Sequence, residues 1–250
     1  MVPPFIAYYG ALQGGALGRS LMQTAYDQCS LYRDALRDKS GLWRHIAQGS
    51  YSDDTHWATG ASHGIIPGTF KSDRYTGNGW AAAGMMRVLS TLNHTKDGRH
   101  FSAQQADLTE WIDEILEESW SHQVFVFLCC GLHERLKLVP SQGADGALHN
   151  VIDDPTSFTD TASTALLASV TYRMTMFRKD ASLILPANKA FALIEKKIDR
   201  NGWLQGAVDP LTFHSPLAAG QHTPEGQAFV LLLQAAWKTL SDYATSTKAL

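Results

Sequence analysis

The chain has 250 residues, 44% of them hydrophobic, and its 21 Lys and Arg against 24 Asp and Glu give a formal charge of -3. That apolar share is enough to bury a core, which excludes disorder as the default, and the balanced charge lacks the basic stripe that nucleic acid requires. The longest apolar run, VFVFLCC at residues 124–130, falls far below the roughly 20 residues that span a bilayer, so neither nucleic acid nor a membrane is expected as a partner.

The chain opens on MVPPFIAYYG, with no basic n-region and an early proline pair, and does not read as a secretory signal. Gly14 and Gly15 mark a turn between helices. Leu21, Ala25, Cys29, Tyr32 and Leu36 then recur at helical spacing and predict one buried face. Residues 41–79 form a long connection rich in Gly, Asp, His and Trp. Ala82, Met85, Leu89 and Leu92 make a second stripe, and the Ala- and Met-rich stretch around it reads as close helix packing rather than a cofactor box. Residues 103–118 carry Leu108, Trp111, Ile112 and Ile115 on one side, with Ser102 and Gln105 offering a capping box.

After a second long connection at residues 143–160, Asp160 is placed to cap a helix, with Ser163 behind it and Leu166, Val170, Met174 and Phe177 facing inward. Residues 190–198 continue the helical pattern after Pro186. A third connection, residues 201–222, leads to a last helix in which Thr223 caps, Pro224 suits the first turn and Glu225 complements the macrodipole. Its inward residues are Phe229, Leu233, Trp237 and Leu240. The fold class is therefore all-α, built as recurring helix, loop, helix units. Connections longer than about 12 to 15 residues are uncommon unless they serve function, so the looped ends of the helical pairs are the expected working face. The three cysteines, Cys29 and the adjacent Cys129 and Cys130, imply no disulfide framework, and nothing resembles a phosphate loop.

Read in order, MVPPFIAYYG, YDQCSLYRDALRDKSGLWRHI, TGNGWAAAGMMRVL, DGALHNVIDDPTSFTDTASTALLASVTYRM, NGWL and TPEGQAFVLLLQAAW resemble the unsaturated rhamnogalacturonyl hydrolases of glycoside hydrolase family 105 in their fungal form. The resemblance runs from Met1 to about Tyr243. It implies a six-hairpin glycosidase, an (α/α)6 barrel, of which residues 1–250 would be one domain forming the later, incomplete part. It further implies hydration of the C4=C5 bond of the terminal unsaturated galacturonate in pectin fragments, with a small oligosaccharide as partner and neither cofactor nor metal. In the family an aspartate acts as proton donor and water activator a few residues before the Met-x-Pro-Pro-Phe stretch. Here that stretch begins at Met1, so the chain is expected to be truncated, without its catalytic aspartate and inactive. Unsaturated glucuronyl hydrolase activity and a non-catalytic carbohydrate-binding or structural helical scaffold are the alternatives. The family has secreted and intracellular members, so the resemblance assigns no compartment.

Two stretches depart from the family pattern. Thr59-Gly60 is followed by ASHGIIPGTFKSDRY before Thr76-Gly77-Asn78-Gly79-Trp80, where a relative would read WATGNGW. VFVFLCCGLHERLKLVPSQ separates a Trp-Ser-His-Gln helix end from an Asp-Gly-x-Leu-His-Asn turn. Residues 61–77 and 124–142 are therefore expected to be inserts, either translated introns or gene-model errors.

His45, in GLWRHI, matches the family histidine that lines the uronate site; its plain reading is a structural histidine among aromatics. Trp57, Asn78 and Trp80 match the WxxGNGW pattern, in which rings stack on sugar and the amide bonds hydroxyls, and the plainer role for Trp80 is packing at a helix start. Many bacterial relatives place Arg where this chain has Thr59 or Thr76, and Arg44 is the candidate substitute for holding the substrate carboxylate. Asp53, Asp54 and His56 form a metal-like cluster, but a polar loop produces that spacing by chance, so no metal site is assigned. His149, Asn150, Asp153 and Asp154 read as turn formers. An incomplete ring would leave apolar helix faces uncovered, which predicts self-association.

Overall fold

The computed structural model describes residues 2–47, 52–59, 77–124 and 146–247. These form helices α1 (Val2–Gln13), α2 (Gly15–Leu36), α3 (Asn78–His94), α4 (Ser102–Ser121), α5 (Thr161–Arg178), α6 (Ile184–Lys197) and α7 (Pro224–Thr247). The only paired strands among the described residues are β1 (Leu148–His149) and β2 (Thr159–Asp160), antiparallel with Leu148 opposite Asp160. Helix α1 packs on α2 and α3, α3 on α4 and α5, and α5 on α6 and α7. Thus α1, α3, α5 and α7 make one row of neighbours, and α2, α4 and α6 each pack on a member of it. This is the all-α, stacked-hairpin order that the sequence periodicity predicts. No helix among the described residues is long and apolar enough to cross a membrane.

The first hairpin depends on glycine. Gly14 and Gly15 take φ of 62° and 60°, conformations that L side chains disfavour, and they reverse the chain between α1 and α2. A Cβ on Gly18 would stand 2.4 Å from the Gly10 carbonyl oxygen, so the two backbones meet only because that side chain is missing. The central helix is α5, buried at every residue from Thr161 to Tyr172. The predicted four-residue stripe understated this, because a helix enclosed all round shows no polar face. Its Ser and Thr hydroxyls are accommodated by local bonds: Thr164 donates to the Asp160 carbonyl (2.7 Å), Ser169 to Leu166 (2.7 Å) and Thr171 to Leu167 (2.9 Å).

Other expectations shift in detail. On α2 the buried face runs through Met22, Ala25, Cys29 and Leu36, while Tyr32 is 49% exposed. The Ser102–Gln105 capping box does not form. A single 3-10 turn, Gly98–Phe101, leads into α4, and the Gln105 amide donates to the Gly98 carbonyl at 2.9 Å. Helix α6 starts at Ile184, which puts Pro186 in its first turn, where no backbone donor is needed. Trp237 is 41% exposed, with its ring stacked on Phe191.

Polar groups fasten α2 to α4. Both Arg33 and Arg37 bond the two oxygens of Glu114, at 2.7 to 3.1 Å, and the Tyr26 hydroxyl donates to Asp107. Burial and then the Asp107 bond push the Tyr26 hydroxyl up to about 12. Burial also drives Glu114 upward, but the two guanidiniums outweigh it and hold the carboxyl below its ordinary 4.5. A carboxyl depressed on folding adds stability above its unfolded value, and that contribution disappears as pH falls through the folded value. Glu114→Gln is therefore expected to lower unfolding free energy by about 1 to 2 kcal/mol near neutral pH. As pH falls from 4.5 through the lowered folded value the variant and parent should converge, as thermal melts across pH will show. Cys29 lies in the same wall of α2, and burial pushes its thiol up to about 12.

The expected inserts lie outside the described residues except for Gly77 and Val124, as do Thr76, Cys129 and Cys130. The residues that flank them meet. Asn78 N donates to the Trp57 carbonyl (2.9 Å) and Gly79 N to Ala58 (2.7 Å). Val124 N donates to Ala147 (2.9 Å), Gly146 N returns to Val124 (3.0 Å), and the Gln123 amide reaches the Gly146 carbonyl (2.9 Å).

Candidate functional site

The long connections gather at the N-terminal ends of α3 and α5. His45 N donates to Thr55 O (3.0 Å), Ala58 N to Asn150 O (2.9 Å) and Ile152 N to His56 O (2.9 Å), while the Asn150 amide donates to the Phe213 carbonyl (2.9 Å). Asp160 fastens the bundle from below. Fully buried, its Oδ1 accepts from Ala162 N and Val208 N, both at 3.0 Å. Its Oδ2 accepts from Ser163 N (3.0 Å) and the Thr59 hydroxyl (3.1 Å). The first members of each pair are the expected N-cap, completed by the Ser163 hydroxyl donating to the Asp160 carbonyl at 3.1 Å. The others bind two separate loops to the same carboxylate. Thr59 is thus 5% exposed and committed to Asp160.

Above Asp160 lies an aromatic cluster. His45 (5% exposed) and Trp57 (8%) approach to 5.6 Å between ring centroids, and His214 meets Trp57 edge-on at 5.4 Å. The Trp57 indole N–H donates to Asp53 Oδ2 at 3.1 Å. His214 is exposed, held there by Phe213, a buried residue with φ of 58° that turns the chain outward. The sequence reading did not find His214. It lies in a connection whose composition resembles any polar loop, and only the tertiary fold carries it to Trp57.

The other candidate residues have distinct positions. Asn78 is fully buried; its Oδ1 accepts from Trp43 N (2.8 Å) and its Nδ2 donates to the carbonyls of Trp43 and Trp57, both at 3.1 Å. Its amide therefore positions the Trp57 loop and has no polar atom turned toward solvent. Trp80, two residues along α3, is half-buried and packs edge-on against Phe229 of α7 at 5.1 Å. Arg44 lies at the far end of α2. Its guanidinium donates to the carbonyls of Ala35 (3.2 Å) and Leu36 (3.5 Å) and to Asp54 (3.2 Å), where it complements the negative end of the helix. The structure brings His45, Trp57 and Asn78 together and takes the charged group of Arg44 elsewhere.

The Asp53, Asp54 and His56 cluster also separates. Asp53 accepts from the Thr55 amide and hydroxyl and from Trp57, Asp54 pairs with Arg44, and His56 lies between Asp153 (2.7 Å) and Asp38 (2.9 Å). His149 Nδ1 contacts the Ser157 carbonyl at 2.6 Å, and Asp154 closes a turn on Thr156. Burial raises Asp53, yet its bonds from Thr55 and Trp57 hold it below the ordinary carboxyl range; Asp38 follows the same pattern through Ser40 and His56. Such carboxylates accept hydrogen bonds but are poor proton donors near neutral pH. Among the described residues the carboxyl raised by burial is Asp113, on α4 beside Arg178, away from this cluster.

No protein-family model matches the sequence, and no curated protein sequence does. Solved structures match in three dimensions. A Salmonella enterica protein described as a possible member of the GH105 family overlays with a TM-score of 0.70 at 20% identity, over 97% of this chain and 55% of that one. A glycosyl hydrolase of family 88 from Bacteroides vulgatus gives 0.64 at 16%, over 96% and 60%. A family 105 glycoside hydrolase from C. acetobutylicum gives 0.59 at 14%, over 95% and 62%. The chain thus spans between half and two thirds of the length of these structures. At such identities the likeness is one of fold: the chain has the all-α helical-hairpin architecture found in these glycosidases.

Proposed function

We propose that this chain is a glycoside-hydrolase-like protein of the unsaturated rhamnogalacturonyl hydrolase type that receives a terminal unsaturated uronate without turning it over. The observation that carries this reading is the convergence of His45, Trp57 and Asn78 at the start of α3 in an architecture shared with family 105 and 88 proteins. The sugar would meet His214 and the Trp57 edge, with Asn78 acting through the loop it holds. Asp53, which accepts the Trp57 indole N–H, is held below the ordinary carboxyl range by its Thr55 and Trp57 bonds, which suits positioning the ring rather than protonating a double bond.

The test is incubation of the purified chain with an unsaturated rhamnogalacturonan disaccharide, followed by the loss of double-bond absorbance and by calorimetry. Binding without turnover is expected, weakened at least tenfold by His45→Ala. Measurable turnover would overturn the inactivity, and turnover of an unsaturated glycosaminoglycan disaccharide instead would assign the glucuronyl activity. No binding of either sugar would leave a structural scaffold.

Self-association belongs to the same reading. Val2, Phe5, Tyr9 and Leu12 form an exposed stripe on α1, each 45% to 68% exposed. Large contiguous apolar patches are rare on monomeric proteins. Sedimentation is expected to show concentration-dependent association, and a monodisperse monomer would contradict it.

A further inference from the structure

A cavity of about 550 Å³ opens between α1, α3, α5 and α7, and no residue of α2, α4 or α6 lines it. Arg87 of α3 follows Asn78 by about 13 Å along the helix axis, and none of His45, Trp57, Asn78 and His214 lines this cavity. Arg87 and Arg173 both line it, and no carboxylate does. Neither guanidinium has a hydrogen bond or ion pair among the described residues. Arg173 is half-buried; burial and then the neighbouring Arg87 pull it below its ordinary value. A half-buried cation beside a like charge is an unfavourable arrangement unless an anion joins it. Two of the lining hydroxyls are already committed, Thr91 and Ser169 donating to the carbonyls of Arg87 and Leu166, and neutral hydroxyls such as those of Tyr8 and Ser90 carry no charge to balance the pair. Most of the remaining lining is apolar or aromatic, including Phe5, Tyr8 and Leu232.

We propose that this cavity is a second ligand site, taking a small amphipathic anion whose carboxylate or phosphate bridges Arg87 and Arg173 while its apolar body lies against Phe5, Tyr8 and Leu232. The volume fits the range of small-molecule sites, about 300 to 1,000 Å³, which combine apolar walls with a few convergent polar groups. Two guanidinium forks supply the donor geometry that such oxygens prefer. The inference is independent of any sugar bound near Trp57.

Benzoate and phenyl phosphate are the probes. Each is expected to raise the Tm of the full chain at millimolar concentration, and the gain should shrink with added salt. Arg173→Met removes the half-buried unpaired charge, so without ligand it should melt about 2 to 4 °C higher than the parent and respond at least tenfold less to either probe. Because that variant is expected to be the more stable one, its loss of binding cannot be assigned to misfolding. Arg87→Gln should weaken the response with little change in the unliganded Tm. The proposal fails if the parent responds to neither probe, or if both variants respond as the parent does. It also fails if the substitutions dissociate a self-associated form whose monomer ignores both anions, because acidic side chains of a second copy would then hold the arginines.

Discussion

Replacing Asp160 by alanine is expected to lower the unfolding free energy by about 3 to 5 kcal/mol, the largest loss from any single polar substitution in the described residues. The carboxylate accepts four bonds, from Ala162 N, Ser163 N, Val208 N and the Thr59 hydroxyl, and is fully buried. Removing it takes away the α5 cap, typically worth about 1 kcal/mol. It also leaves the Val208 amide and the Thr59 hydroxyl without an acceptor in a place water does not reach, at about 1 to 3 kcal/mol for each such group. Domains of this size are stable by only about 5 to 15 kcal/mol, so urea unfolding should show a much reduced midpoint. Asp160→Asn separates shape from chemistry, since one oxygen persists while an NH2 group is turned toward a donor. Its midpoint should fall between those of parent and alanine variant, and an asparagine variant as stable as the parent would contradict the four-bond account.

Excising residues 61–77 and 124–142 together is expected to leave a chain that still unfolds cooperatively, with a Tm no lower than the parent's. In the described structure Asn78 N bonds the Trp57 carbonyl and Gly79 N bonds Ala58. Joining Gly60 to Asn78 would place each donor four residues after its acceptor, which is the α-helical spacing. Those bonds would then be local, and no long loop would have to be closed to form them. At the second site the excision removes the two backbone bonds of Val124 with Ala147 and Gly146, but Gln123 stays, its side chain on the Gly146 carbonyl at 2.9 Å, and residues 143–145 suffice to join it to Gly146, since three residues reach about 10 Å. The excision removes the β-prone run VFVFL, so soluble yield should rise. Loss of the cooperative transition, or mature message that retains both segments in every clone, would remove the argument that they are additions.

Helices α2, α3, α4, α6 and α7 are legible because each presents one apolar stripe at a period the eye can follow, α2 and α4 most plainly, whereas α1, whose buried residues are Pro3, Ala7 and Gly10, is marked only by the Gly14-Gly15 turn that ends it. Helix α5 was found from its cap and the residues after it, but its full burial was hidden by Ser and Thr residues that satisfy themselves locally. The site was less legible. His45 and Trp57 could be chosen by their resemblance to a family pattern, and they do lie side by side. Asn78 was chosen for its amide, and the amide is directed inward to backbone, because a buried side chain with two donors and one acceptor is an efficient way to join two loops. Arg44 illustrates the converse: it is the candidate to stand in for a carboxylate-holding arginine, but its guanidinium bonds the carbonyls at the end of α2. Long-range pairings such as Thr59 with Asp160 and Trp57 with His214 have no local sequence signal.

The burial of Cys29 gives the protein an internal clock for its own opening. Its thiol sits at 4% exposure in the wall of α2 and is pushed up to about 12, so in the closed state it offers almost no thiolate to an alkylating reagent. Once residues 124–142 are excised, Cys29 is the sole cysteine in the chain. The speed at which iodoacetamide modifies it would then time how often α2 lifts away from α1 and α3, reporting local breathing of the first hairpin without any added label.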